Sequence, residues 1–227
     1  MLADPAGDAL AETARRYRAC PRFTRHYVAS KLRRDPVHRA VLALAASAGG
    51  FGDVVDLGCG RGQLGVALLT AGLARSVAGV DRAGPALDDA RRAASGLSFE
   101  ARQADLADAP QVPDCDTVLL VDVLYQLGAG PALCLLRAAA GAARERVVVR
   151  TLDPAQGWRS RLARGLERAG QGWWPHAGRR VEPLPVPLVL AALRDAGFEA
   201  DAVPCWEGTP FANVLIVARR LASPRNG

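Results

Sequence analysis

The residues of this 227-residue chain best suited to chemistry gather around three closely spaced glycines, Gly58, Gly60 and Gly62. A short apolar run, residues 53–57, precedes them, and an apolar periodic segment, residues 64–73, follows. Strand, glycine turn and helix in that order let a nucleotide-like ligand reach the backbone at a helix N-terminus, because no Cβ blocks the approach. A dinucleotide fingerprint requires G-x-G-x-x-G, yet the sixth position counted from Gly58 is Gln63. Asp56 stands two residues before the first glycine, where a carboxylate repels a pyrophosphate but can face an ammonium group. Asp81 ends a second apolar run, 76–81, and is placed to accept hydrogen bonds from both hydroxyls of a ribose; capping the helix after Gly84 is its other reading.

Proton removal from a hydroxyl near neutral pH calls for a histidine, and the chain has His26, His38 and His176. His26 and His176 are candidate bases from segments flanking the core, whereas His38 falls in the first turns of a helix and reads as structural. No cluster of metal-ligand spacing is evident, so metal independence is expected. Cysteines 20, 59, 115, 134 and 205 form no C-x-x-C pair and are odd in number, which reads as reduced thiols in a cytosolic protein.

The elements that position these residues alternate between strand and helix. Helices are expected near 9–18 and 22–32, the latter with Phe23, Tyr27 and Val28 to bury. A third is expected at 37–46, started by the Asp35-Pro36 cap and stopped before Gly49-Gly50. Strands follow at 53–57, 76–81, 97–102, 116–122, 145–151, 198–205 and 212–219, with helices at 61–71, 84–95, 130–142 and 187–196. The last two strands can pair as a hairpin across residues 207–210. The chain thus divides into an N-terminal helical cap (1–48), an α/β domain (49–221) and a tail (222–227). Within the domain, residues 152–186 are longer than a connection requires and carry Trp158, Trp173 and Trp174, so a lid over the strand ends is expected.

Half of the residues are hydrophobic and only 5% aromatic, which suits one packed α/β domain and argues against disorder. The net charge of +6 is almost wholly arginine, Lys31 being the single lysine. An anionic macromolecular partner and plain compositional bias both explain it, the bias better. The longest apolar stretch, 117–127, is too short to span a bilayer and contains Asp122, and residues 1–10 show no signal pattern; a cytoplasmic location is expected.

Val55-Asp56-Leu57-Gly58-Cys59-Gly60-Arg61-Gly62 closely resembles motif I of the class I S-adenosylmethionine-dependent methyltransferases, V-D-L-G-C-G-x-G. The resemblance extends over about residues 50–219. It implies a doubly wound, seven-stranded, mostly parallel sheet with an antiparallel last strand, and S-adenosylmethionine as cofactor. Asp56, Gly58, Cys59, Gly60 and Gln63 would then line the cofactor, with Asp81 and Arg82 at the ribose. Asp105 would accept from the adenine amine between the backbones of Ala104 and Leu106, with Asp108 a nearby competitor. Asp122 and Val123 would lie beside the methionine portion, Asp122 facing its ammonium, and Lys31 would meet its carboxylate. Many small-molecule members have a histidine where Tyr125 stands, so Tyr125 is a substrate-positioning residue first and a base second. The N/D-P-P-Y/F pattern of base-amine methylation is missing, and Pro204-Cys205 lies on the sixth strand, away from a catalytic loop. The implied activity is methyl transfer to oxygen or nitrogen of a small apolar or aromatic metabolite or lipid-like acceptor, without a nucleic-acid partner. An RNA or protein methyltransferase and a non-catalytic interaction module are the alternatives; Gln63 and Asp56 disfavour a nicotinamide oxidoreductase.

Overall fold

The computed structural model describes residues 4–108, 111–155, 182–207 and 212–221. Three helices come first: α1 (Pro5–Arg16), α2 (Arg22–Arg34) and α3 (Pro36–Ser47). The alternating part is β1 (Asp53–Leu57), α4 (Gln63–Thr70), β2 (Ser76–Asp81), α5 (Gly84–Ala93), β3 (Phe99–Gln103) and β4 (Cys115–Val121). It continues as α6 (Ala129–Ala142), β5 (Ala143–Leu152), α7 (Val186–Asp195), β6 (Phe198–Pro204) and β7 (Asn213–Arg220). The sheet order is β3-β2-β1-β4-β5-β7-β6. β1 to β5 pair in parallel and β7 runs antiparallel to both β5 and β6, giving the expected doubly wound α/β sheet.

The central strands are buried on both faces, so their residues divide by period two between two cores. Val55, Val118, Val147 and Ile216 pack under α6 and α7. Val54, Leu119, Val148 and Leu215 pack on the other side with Val28, Val41, Leu42 and Leu64 from α2, α3 and α4. Burying each such aliphatic side chain contributes about 1.5–3 kcal/mol. The chain reverses at β1 in this order, with β2 on one side and β4 on the other, which opens a crevice at the carboxyl ends of the strands.

Local chemistry explains where elements depart from expectation. Helix α1 starts at Pro5, earlier than expected, because the Asp4 side chain accepts from Gly7 N–H at 2.9 Å. Helix α4 starts at Gln63 because Gly62, at φ +72°, is left-handed and cannot be helical. Phe23, expected to be buried, is 66% exposed. The buried stripe of α2 is Thr24, Val28 and Leu32, four residues apart, and Phe23 lies about 100° around the helix from it. The 152–186 lid, with its tryptophans and His176, and the 207–210 turn fall largely or wholly outside the described residues.

Candidate active site

The glycine loop continues β1: Gly58 and Cys59 N–H donate to the Val80 carbonyl at 2.8 and 3.1 Å. All three glycines have positive φ, at 81°, 55° and 72°. Gly58 and Gly62 are also sterically bound to glycine, since a Cβ would come within 2.7 Å of Val123 and 2.9 Å of Ala90 respectively. Gly60 differs. A Cβ there would meet nothing within 4 Å, so its bare backbone faces open space.

Asp81 holds this loop in place. One of its oxygens accepts from Gly60 N–H at 2.9 Å and the other from Ala83 N–H at 2.8 Å. Each oxygen keeps lone-pair capacity for a further donor such as a hydroxyl. Asp81 does not cap α5, whose N-cap is Ala83 without a side-chain hydrogen bond; its bracing of the loop is compatible with a ligand role. Asp56 is buried beside it; burial, and then the Asp81 charge, push its carboxyl up to about 7. Burial likewise raises the Cys59 thiol, followed by Asp56 and Asp81, so this cysteine stays protonated and unreactive. Ala104 N–H donates to the Asp81 carbonyl at 3.1 Å, and Asp105 accepts from Ala107 N–H at 2.9 Å, which sets residues 104–106 next to the same strand end. Arg82 offers its carbonyl to Gln103 Nε2 at 3.0 Å. Gln63 Oε1 is buried without a hydrogen-bond donor.

Asp122, just past β4, adopts φ +59°, a left-handed conformation that Asp tolerates better than most residues. Its N–H donates to the Arg150 carbonyl and its Oδ2 accepts from Arg150 Nη1, both at 3.1 Å. The same Nη1 meets Asp35 at 2.8 Å, and Lys31 reaches Asp35 at 3.2 Å. Burial would raise Asp35, but Arg150 and Lys31 outweigh it and hold the carboxyl at about 2. For Asp122 burial wins and its pKa is raised; its Oδ1 is buried with no donor. Burial would lower the Lys31 pKa, but Asp122, Tyr27 and Asp35 raise it. Lys31 is thus tied to Asp35 as well as being close to the site. Sequence reasoning missed Arg150. The signal was an arginine inside Val147-Val148-Val149-Arg150-Thr151-Leu152, a run too apolar to leave a guanidinium in solvent without acid partners.

The N-terminal segment closes one side. Tyr17, fully buried, donates from its hydroxyl to the Arg61 carbonyl at 2.6 Å. The Arg61 guanidinium lies 5.8 Å from the Phe23 ring and 5.6 Å from the Tyr27 ring, and these rings stack at 6.2 Å. Tyr125 sits in a short 3₁₀ turn, Leu124–Gln126, pinned where Gln126 donates to the Asp122 carbonyl and Glu182 N–H donates to the Tyr125 carbonyl at 3.0 Å. His26 is exposed on α2, and His38 is buried, its pKa lowered to about 4 by burial. Cys205 is buried beyond β6 with its N–H on Asn213.

An open glycine backbone, a carboxylate with lone pairs to spare and the buried Asp56, which has no cation beside it among the described residues, suit a cationic nucleoside. Residues 54–145 match the family model described as "Methyltransferase domain". No curated protein matches the sequence significantly. Among solved structures, magnesium protoporphyrin IX methyltransferase (ChlM) from Synechocystis PCC 6803, with bound SAH, superposes with TM-score 0.65 at 23% identity over 82% of each chain. The N-methyltransferase NodS from Bradyrhizobium japonicum WM9 gives 0.61 at 14% identity, over 82% of this chain and 86% of that one. The pyocyanin biosynthetic protein PhzM gives 0.62 at 24% identity, over 90% of this chain and 60% of that one. Motif, sheet order and domain match together show a methyltransferase domain over residues 54–145, set in the Rossmann-like sheet of the solved methyltransferases it superposes on.

Proposed function

We propose that this enzyme methylates oxygen or nitrogen of a small apolar or aromatic acceptor, a metabolite or lipid-like molecule. The observation that carries this reading is the exposed Phe23, stacked on Tyr27 and joined to the glycine loop through Arg61. An aromatic surface left in solvent beside a cofactor loop suits a flat apolar ligand. Relatives that include a magnesium protoporphyrin IX methyltransferase and a pyocyanin biosynthetic protein support an acceptor of this kind. Five unpaired cysteines support work in a reducing, cytoplasmic setting.

Bound S-adenosylmethionine supplies a methyl group already activated by its sulfonium. The protein's residues have to bind, align and exclude water. In this reading Gly58, Cys59, Gly60 and Gln63 line the cofactor, Asp81 and Arg82 take the ribose end, and Ala104, Asp105 and Leu106 take the adenine. Asp56, Asp122 and Val123 face the methionine portion, with Lys31 near its carboxylate. Tyr125 orients the acceptor. His26, one turn from Phe23 on α2, and His176 are the candidates for taking a proton.

The test is turnover with flat hydroxylated and aminated aromatic acceptors, comparing wild type with Phe23→Ala. Loss of the stacking surface should raise the acceptor KM about tenfold while cofactor affinity by calorimetry stays unchanged. Cofactor binding with no turnover on any small acceptor, or salt-sensitive methylation of RNA, would count against the reading.

A further inference from the structure

We propose that Asp89, on α5 and outside the glycine loop, is a positioning residue that couples the seating of S-adenosylmethionine to the docking of α2; this rests on the cofactor reading above. Asp89 is only 4% exposed. Its Oδ2 accepts from Thr24 Oγ1 at 2.7 Å and from Arg61 Nη1 at 3.0 Å, and its Oδ1 accepts from Arg92 Nη1 at 3.0 Å. Its carbonyl faces the Cys20 thiol at 3.6 Å. One buried carboxylate oxygen therefore serves two donors, one on the N-terminal segment and one in the glycine loop.

Arg61 is held at both ends. Tyr17 fixes its carbonyl and Asp89 its guanidinium, and both attachments lead to residues 17–24. If α2 moves away, Asp89 loses a donor and the Arg61 backbone loses its brace. If the loop moves, a buried carboxylate loses a cation that it cannot replace with water. The two displacements share one set of contacts, so a ligand that immobilises the loop also favours docked α2. By linkage, docked α2 raises ligand affinity by the same factor. Because Arg61 also lies over Phe23 and Tyr27, the cofactor would set up the aromatic surface before an acceptor arrives.

Hydrogen exchange of the full chain with and without S-adenosylmethionine, with calorimetry, tests this. In wild type, ligand should slow exchange in α2 as well as in α4. Asp89→Ala removes the oxygen that Thr24 and Arg61 share, and should weaken ligand binding about tenfold and abolish protection of α2 while that of α4 persists. Thr24→Val leaves the Arg61–Asp89 pair intact and guards against a folding failure; it should weaken binding about fivefold with the same selective loss. A merely structural Asp89 would lower the melting temperature and leave the ligand-induced protection of α2 in place. Ligand-induced protection of α2 that survives in Thr24→Val, or wild-type affinity in both variants, overturns the coupling alone. Absence of saturable binding by the wild type overturns the cofactor reading and the coupling together.

Discussion

Asp53 and Asp56 stand three residues apart on β1 and meet opposite fates. Asp53, at the start of the strand, accepts from Arg75 Nε at 2.9 Å and Ser76 Oγ at 2.6 Å, and these contacts lower its pKa. Nearby Asp116 gathers Asp53 N–H, Arg75 and Arg144. At that edge acids and arginines match, in pairs exposed enough to contribute little each. At the carboxyl edge, Asp56 is buried beside Asp81 and is pushed up to about 7, while Asp122 keeps an oxygen with no donor. One edge of the sheet pairs its acids with arginines; at the other, Asp122 meets Arg150 through one oxygen, but Asp56 has no cation beside it among the described residues. A folded protein tolerates such a cost where a ligand's charge will later relieve it.

The largest effect should come from titrating the contrast itself. The folded Asp56 keeps a proton that the unfolded chain releases near pH 4, so its contribution to stability is full below pH 4 and is lost as pH rises to about 7. Asp56→Asn removes that loss, and relative to wild type should gain on the order of 4 kcal/mol between pH 4 and 7 in ligand-free urea melts. Asp53→Asn should show the opposite sign, losing a contribution present above pH 4, of about 0.5 kcal/mol because the group is exposed. Parallel pH profiles for wild type and Asp56→Asn would remove the physical basis of the contrast.

Next comes ligand affinity. Asp81→Ala loses two charged hydrogen bonds to the loop backbone as well as any ribose contact, and should weaken S-adenosylmethionine binding about 100-fold by calorimetry. Asp116→Ala, at the other edge, should change it less than about twofold. Equal losses would mean that affinity tracks global stability and not the site.

The smallest effect separates two glycines. Gly49 and Gly60 both have positive φ, 73° and 55°, and both have open space where a Cβ would stand. Alanine at either should cost about 1 kcal/mol of stability from backbone strain. Only Gly60→Ala should also weaken cofactor binding, because only that methyl group points into the ligand's approach.

Much of this was legible in the chain itself. Glycines at 58, 60 and 62 after an apolar run dictate a left-handed turn at a strand end, and the structure has it. Asp35-Pro36 predicts a capped helix start, and Asp35 does cap Val37 N–H at 3.2 Å. The same pair of residue types at Asp4-Pro5 also starts a helix, ahead of the apolar periodicity that points to a start near residue 9. Phe23 was misjudged for a related reason: hydrophobicity says that a residue prefers burial, but rotation around the helix decides whether it is buried.

Local sequence by itself determined the strands and helices, the glycine loop and the acidic strand ends, because periodicity, caps and positive-φ glycines act over a few residues. Tertiary structure alone decided which charges meet. Arg150 joins Asp122 to Asp35, 115 residues away, and Asp89 joins Thr24 to Arg61 across three elements. Such pairings depend on sheet order and on which helix face is turned inward. No spacing along the chain encodes either until the core has packed.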